Sequence, residues 1–155
     1  MKTTMTPEKA LLKLADLCST GEHCKWEMCE KLRKWGIQRS DADKIIAKLS
    51  EGKFIDDRRF TRAFVHDRIT FRKQGRRMIM RDLILKRIDK DIITDALADI
   101  DRDQYADNLT TLMARKLLSL GGDINDNDIR NRLVRFAAGR GYEPSLIFNA
   151  LESLK

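Results

Sequence analysis

The residues best able to hold a transition metal crowd the start of the chain: Cys18, His23, Cys24 and Cys29. Zinc sites are built from close ligand pairs brought together from two clusters, and here there is neither a CxxC pair nor a second cluster. The thiols therefore read as core or capping groups. An odd number of cysteines makes a poor disulfide framework and points to reduced, intracellular usage. Asp56 and Asp57 could be drawn as a metal pair, yet a helix N-terminus accounts for both, one as a cap and one as a charge on the dipole. His66 stands alone. Neither a phosphate-cradling Gly-rich loop ending in Lys-Ser/Thr nor a Ser/His/Asp set is present, and Gly139-Arg140-Gly141 is too short for the former. No catalytic residue is assigned. The expectation is a binding protein without enzymatic activity, cofactor or metal.

Charge is the stronger signal. Lys and Arg number 31 against 24 Asp and Glu, a net +7 over 155 residues. Eleven bases lie between residues 58 and 87, namely Arg58, Arg59, Arg62, Arg68, Arg72, Lys73, Arg76, Arg77, Arg81, Lys86 and Arg87. Only Asp67 and Asp82 oppose them, so this segment is +9 and the remainder −2. A solvated face usually interleaves both signs; a face without acids repels itself unless a partner offsets the charge. The candidate partner- or DNA-contact residues are Arg68, Arg72, Lys73, Arg76, Arg77, Arg81, Lys86 and Arg87. Ten of the eleven bases are expected to face solvent while Phe60, Phe64, Ile79 and Leu83 turn inward. Trp26 and Trp35 occupy helical positions and read as core or rim rather than as a base-stacking platform.

The elements that must position these groups are all helical. Apolar residues recur at helical spacing throughout, no alternating strand pattern is evident, and the two prolines are Pro7 and Pro144. Thr6-Pro7 opens a helix whose face is Leu11, Leu14, Ala15 and Cys18. A second carries Met28 and Leu32, and a third is expected to open at Ser40 with Asp43 in capping-box spacing. Asp56 starts a fourth, with Phe60, Ala63, Phe64 and Phe71 as its expected stripe. Gly75 reads as a stop or hinge. Ile79 and Leu83 mark the next helix, and Asp89 caps one bearing Ile93, Leu97 and Ile100. A long helix runs through Leu109, Met113 and Leu117 to Gly121-Gly122. Asn125 is the expected cap of the helix holding Leu133 and Ala137, and Pro144 begins the last. No signal peptide or membrane-spanning run is seen, so a cytoplasmic protein is expected.

The chain repeats itself. Shifts of 51 and then 54 residues superpose Met28, Ile79 and Leu133; Leu32, Leu83 and Ala137; and Ile37, Ile88 and Tyr142. The same shifts superpose Ala42, Ile93 and Ile147; Ile46, Leu97 and Leu151; and Leu49, Ile100 and Leu154. A period near 50 with three helices per unit predicts an all-α stack of three tandem helix-turn-helix-like units forming an elongated crescent. The expected units are residues 1–53, 54–101 (the basic one) and 102–155. Leu32, Leu83, Leu97, Leu151 and Leu154 should be buried.

The run Gly52-Lys53-Phe54-Ile55-Asp56-Asp57-Arg58-Arg59-Phe60 resembles the signature of the RecX regulatory proteins, in which an aromatic-aliphatic-Asp-Asp step leads into a helix. Phe54, Ile55, Asp56, Asp57, Phe60 and Gly75 are the structural motif on this reading. Arg68, Lys73, Gly75, Ile79, Leu83, Lys86 and Ile88 resemble the basic helix pair that follows, and the three-fold repeat extends the likeness over nearly the whole chain. Two departures stand out. Cys24 holds the capping place where the family usually has Ser, with Glu27 three residues later. Arg87 holds the turn position where the first and third units have Gly36 and Gly141, so it must accept positive φ or end its helix differently.

The resemblance implies a negative regulator of RecA-mediated recombination and repair, tied to the SOS response; a monomer is expected. Such a protein binds the RecA filament on single-stranded DNA and inhibits its activities, with the basic unit against RecA, the DNA, or both. Weak non-specific DNA binding is a further expectation, and no membrane association is expected. The residues leave other readings open: a free-standing helix-turn-helix-like DNA-binding protein, a helical adaptor for an acidic protein, or a metal-dependent enzyme using His23, Cys24 and Cys29.

Overall fold

The structure is a computed structural model that describes residues 5–155. Among these residues it is all helix: α1 (Pro7–Thr20), α2 (Lys25–Lys34), α3 (Arg39–Glu51), α4 (Asp57–Thr70), α5 (Arg76–Leu85), α6 (Lys90–Ala98), α7 (Arg102–Ser119), α8 (Asn127–Gly139) and α9 (Pro144–Ser153). Packing groups them in threes: α1 and α2 on α3, α4 and α5 on α6, and α7, α8 and α9 on one another. The fold class is the expected one, a tandem array of three-helix units.

Local chemistry explains the helix starts. The Thr6 hydroxyl accepts from the Lys9 amide before Pro7. Asp56 accepts from Arg58 and Arg59, Asp101 from Gln104, and Asp126 from Asp128 and Ile129. Two expected starts are corrected. The cap of α8 is Asp126 rather than Asn125, because its carboxylate reaches two free amides. α3 begins after Gln38 rather than at Ser40, because the Gln38 carbonyl already accepts from Ala42 at 2.9 Å. At α6, Asp89 holds the cap position but makes no capping bond.

The repeat is visible in the backbone. α2, α5 and α8 end in the same turn, in which the amides of Ile37, Ile88 and Tyr142 donate to Leu32, Leu83 and Ala137 at 3.1, 3.2 and 3.2 Å. The residue before each donor is left-handed: Gly36 at φ 73°, Arg87 at 59° and Gly141 at 96°. Arg87 therefore takes the strained conformation that glycine takes in the other two units.

The stripe of α4 is corrected. Phe60, Thr61, Val65 and Ile69 are buried, whereas Phe71 is 75% exposed. Thr61, Val65 and Ile69 are spaced by four and form one row under α6; Phe71 lies beyond the last turn, where the chain leaves the core. Leu32, Leu83 and Leu151 are buried as expected, and Leu97 and Leu154 only half so.

The core is in two parts. One lies among α1–α3, with Ala10, Leu14, Met28, Leu32 and Leu49, and takes in Ile55 from the segment that follows α3. The other runs continuously through α4–α9 and also takes in Cys24, from the start of α2. No described helix is long and apolar enough to cross a membrane.

Candidate protein and nucleic-acid interface

The Phe54–Phe60 segment joins the first two units. Ile55 is buried in the first core and Phe60 in the second, while Phe54 is partly exposed. Asp56 caps α4, and Asp57 accepts at 2.9 Å from the Lys25 amide at the start of α2. Arg59 reaches back to the Lys53 and Phe54 carbonyls and pairs with Glu22 at 2.8 Å. The adjacent carboxylates thus serve two helix N-termini, which is helix chemistry rather than metal chemistry.

The basic segment is less open than its sequence suggests, because Asp82 within it and acids from its surroundings pair with several of its bases. Arg68 pairs with Asp82 at 2.8 Å and lies over the Phe64 ring. Arg76 pairs with Glu143 of α9 at 2.7 Å and stacks on Tyr105. Lys86 pairs with Glu27 of α2 at 3.1 Å and lies near Trp26. Arg58 pairs with Asp95. Arg59, Arg68, Lys73, Arg76 and Lys86 are half-buried, which corrects the expectation that ten of the eleven bases face solvent. Arg62, Arg72, Lys73, Arg77 and Arg87 make no ion pair among the described residues, and exposed Arg81 has only a loose 3.5 Å approach to Asp82.

Five of these less constrained cations cluster by sequence on α5 and its two flanking turns: Arg72, Lys73, Arg77, Arg81 and Arg87. Their frame is a rigid junction with the third unit that sequence reasoning missed. The Gly75 amide donates to the Arg140 carbonyl at 2.8 Å, and Arg77 to Gly141 at 3.0 Å. A side chain at Gly75 would overlap the Gly141 carbonyl group, so the position expected to be a stop or hinge is where two backbones meet. The Tyr142 hydroxyl donates to the Lys73 carbonyl at 2.6 Å, and an Arg140 guanidinium nitrogen donates to the Arg72 carbonyl. The Tyr105 hydroxyl donates to Glu143 at 2.6 Å and accepts from the Arg76 amide at 2.9 Å. Asn108 donates to the Ile69 carbonyl at 2.9 Å. The signal available in the sequence was slight: the only two tyrosines, each near a charged neighbour.

Electrostatics follows burial. Burial, then the Glu143 hydrogen bond, pushes the Tyr105 phenol well above its ordinary range. Burial pushes Tyr142 up to about 12. Cys24 is pushed up to about 12, chiefly by burial, and Cys18 and Cys29 are also raised mainly by burial. All three are free thiols, and burial disfavours the thiolate in each. Burial alone would raise Glu27, but the Cys24 amide (3.0 Å) and the Lys86 ammonium outweigh it and hold it below the usual carboxylate range. That amide contact is half of a capping box, so Glu27 supplies bonding that a thiol does poorly. No group of three His, Cys, Asp or Glu side chains is placed to hold a metal among the described residues.

The architecture defines a class: all-α proteins of three tandem helix-turn-helix-like units. Residues 56–97 match the family model described as RecX, second three-helix domain. The regulatory protein RecX of Chlorobium phaeobacteroides (strain BS1) is 30% identical, over 96% of each chain. That of Clostridium tetani (strain Massachusetts / E88) is 32% identical over 75% of this chain, a match spanning only 53% of its own length. The crystal structure of RecX from Lactobacillus salivarius superposes with a TM-score of 0.84 at 21% identity, over 96% of each chain. The chain belongs to the RecX family of regulatory proteins.

Proposed function

We propose that this chain is a cytoplasmic negative regulator of the RecA recombinase, acting in DNA repair and the SOS response. It binds the RecA filament on single-stranded DNA and inhibits its extension and activities. The observation that carries this reading is the cluster of unpaired or loosely paired cations Arg72, Lys73, Arg77, Arg81 and Arg87 on a rigid frame. Such a surface retains self-repulsion that an anionic partner relieves. Of the eight contact residues expected from sequence, Arg72, Arg77, Arg81 and Arg87 are exposed without a firm ion pair and Lys73 is half-buried without one; Arg68, Arg76 and Lys86 hold the frame.

The test follows RecA's DNA-dependent ATP hydrolysis with and without the chain. Wild type slows it; the Arg72→Glu, Arg77→Glu, Arg81→Glu variant does not at the same concentration, with unchanged helical circular dichroism. These exposed positions each alter stability by no more than about 0.5 kcal/mol. A folded variant that inhibits like wild type moves the contact to the first or third unit. Tight, sequence-selective binding to naked duplex without any effect on RecA supports a free-standing DNA-binding protein instead.

A further inference from the structure

The solvent face of α5 is not purely basic. Met80, Ile84 and Leu85 are exposed on it, at 41%, 55% and 65%. At helical spacing, Met80 and Ile84 stand one turn apart beside Arg77 and Arg81, which are also one turn apart, and Leu85 follows Arg81 by a turn. The fold does not require Ile84 and Leu85, whereas Met80 stands where the other units have the apolar Cys29 and Val134. Where the middle unit has Ile84 and Leu85, the shifts that superpose the units place Arg33 and Lys34 on α2, and Ala138 and Gly139 on α8. The inward residues of α5, Ile79 and Leu83, are fully buried, so the outward pair Ile84 and Leu85 is surplus to the core.

Resting on the proposed role at the RecA filament, we propose that this α5 face docks protein rather than nucleic acid. Its occupant is a segment of the filament's protein whose apolar side chains are flanked by Asp and Glu. Phosphates attract Arg77 and Arg81 but gain nothing from burying Met80, Ile84 and Leu85. Single-stranded bases are held mainly by stacking on aromatic rings, and α5 carries none. Met and Arg together are typical of the buried centre of protein interfaces. Charge selects the partner's sign, since Arg77, Arg81 and Arg87 surround the row and the adjacent carboxylate, Asp82, is engaged with Arg68. A second copy of this chain fits poorly, because a two-fold contact through this face sets the arginines of one copy against those of the other.

The test uses the full chain with Met80→Gln, Ile84→Gln and Leu85→Gln together, substitutions that keep charge and helix preference. Co-sedimentation with RecA filaments on single-stranded DNA gives one affinity, and anisotropy of a labelled oligo(dT) gives the other. The expected result is at least a tenfold loss of filament affinity, oligo(dT) affinity as in wild type, and unchanged circular dichroism. Arg77→Gln with Arg81→Gln is expected to weaken filament binding and flatten its salt dependence. Undiminished filament binding by the triple variant overturns the docking face and leaves the proposed function standing. Equal loss of both affinities makes the face a nucleic-acid contact and also overturns it. A wild-type dimer that the triple variant dissociates reassigns the face to self-association. A wild-type chain that does not bind the filament at all overturns both proposals.

Discussion

Arg87 is the residue at which the repeat and its side chain disagree. Its φ of 59° closes the same turn that Gly36 and Gly141 close, with a Cβ that glycine lacks. Arg87→Gly relieves that crowding at an exposed site and should stabilise the chain by about 1 kcal/mol in urea denaturation. A loss of stability would mean that the side chain contributes more than the turn costs. Gly75 presents the opposite case. Gly75→Ala drives a methyl group into the Gly141 carbonyl group, with backbone on both sides and no flexible side chain to give way. The expected loss is about 3 kcal/mol in the same measurement, the upper end for overpacking. A near-neutral result would show that the second and third units can part slightly there.

At the scale of the element, the entry into α5 depends on groups borrowed from α7 and α9. Tyr105 and Glu143 engage the Arg76 amide and guanidinium, and Tyr142 holds the Lys73 carbonyl. Both phenols have folded-state values raised above the ordinary 10.0. Unfolded tyrosine therefore ionises first, so their contribution is complete below pH 10 and is lost as pH climbs from there toward and past 12. Circular dichroism melts should fall steeply above pH 10, with tyrosine ionisation at 295 nm tracking unfolding. Ionisation of both phenols near the ordinary value in a still-folded chain would contradict the burial. Arg76→Glu should also destabilise by about 1–3 kcal/mol, since it leaves Glu143 facing a like charge in a half-buried site. The same change at Arg77 should be nearly neutral.

Across the whole molecule the two junctions differ in kind. The second and third units share one continuous apolar core and a backbone-to-backbone seam. The first has its own core and is joined to the second by Arg59–Glu22, Lys86–Glu27, Asp57 on the Lys25 amide, and Cys24 reaching into the neighbouring core. Exposed and half-exposed ion pairs weaken with salt, whereas apolar packing does not. Raising salt from 0.05 to about 0.5 M should speed amide exchange at the start of α2 and of α4 while leaving α7 unchanged. Uniform change along the chain would refute the distinction.

Helix content, the three-unit array and the joining segment were legible in the sequence because they rest on local chemistry. Helical periodicity, Asp and Thr caps, and six superposed apolar positions need no knowledge of distant residues. For Arg87, register with Gly36 and Gly141 left two options, positive φ or a different helix end, and the structure takes the first. What tertiary structure alone decided was which charges are free. Eleven bases against two acids looked like one uniform face, but Glu22, Glu27, Asp95 and Glu143 approach from outside the segment and take four of those bases, and Asp82 takes a fifth. An ion pair between residues 67 positions apart leaves no trace in spacing, since it depends on how one unit seats on the next. The same holds for Phe71, apolar by type yet outside the core because the chain turns away one residue after α4 ends.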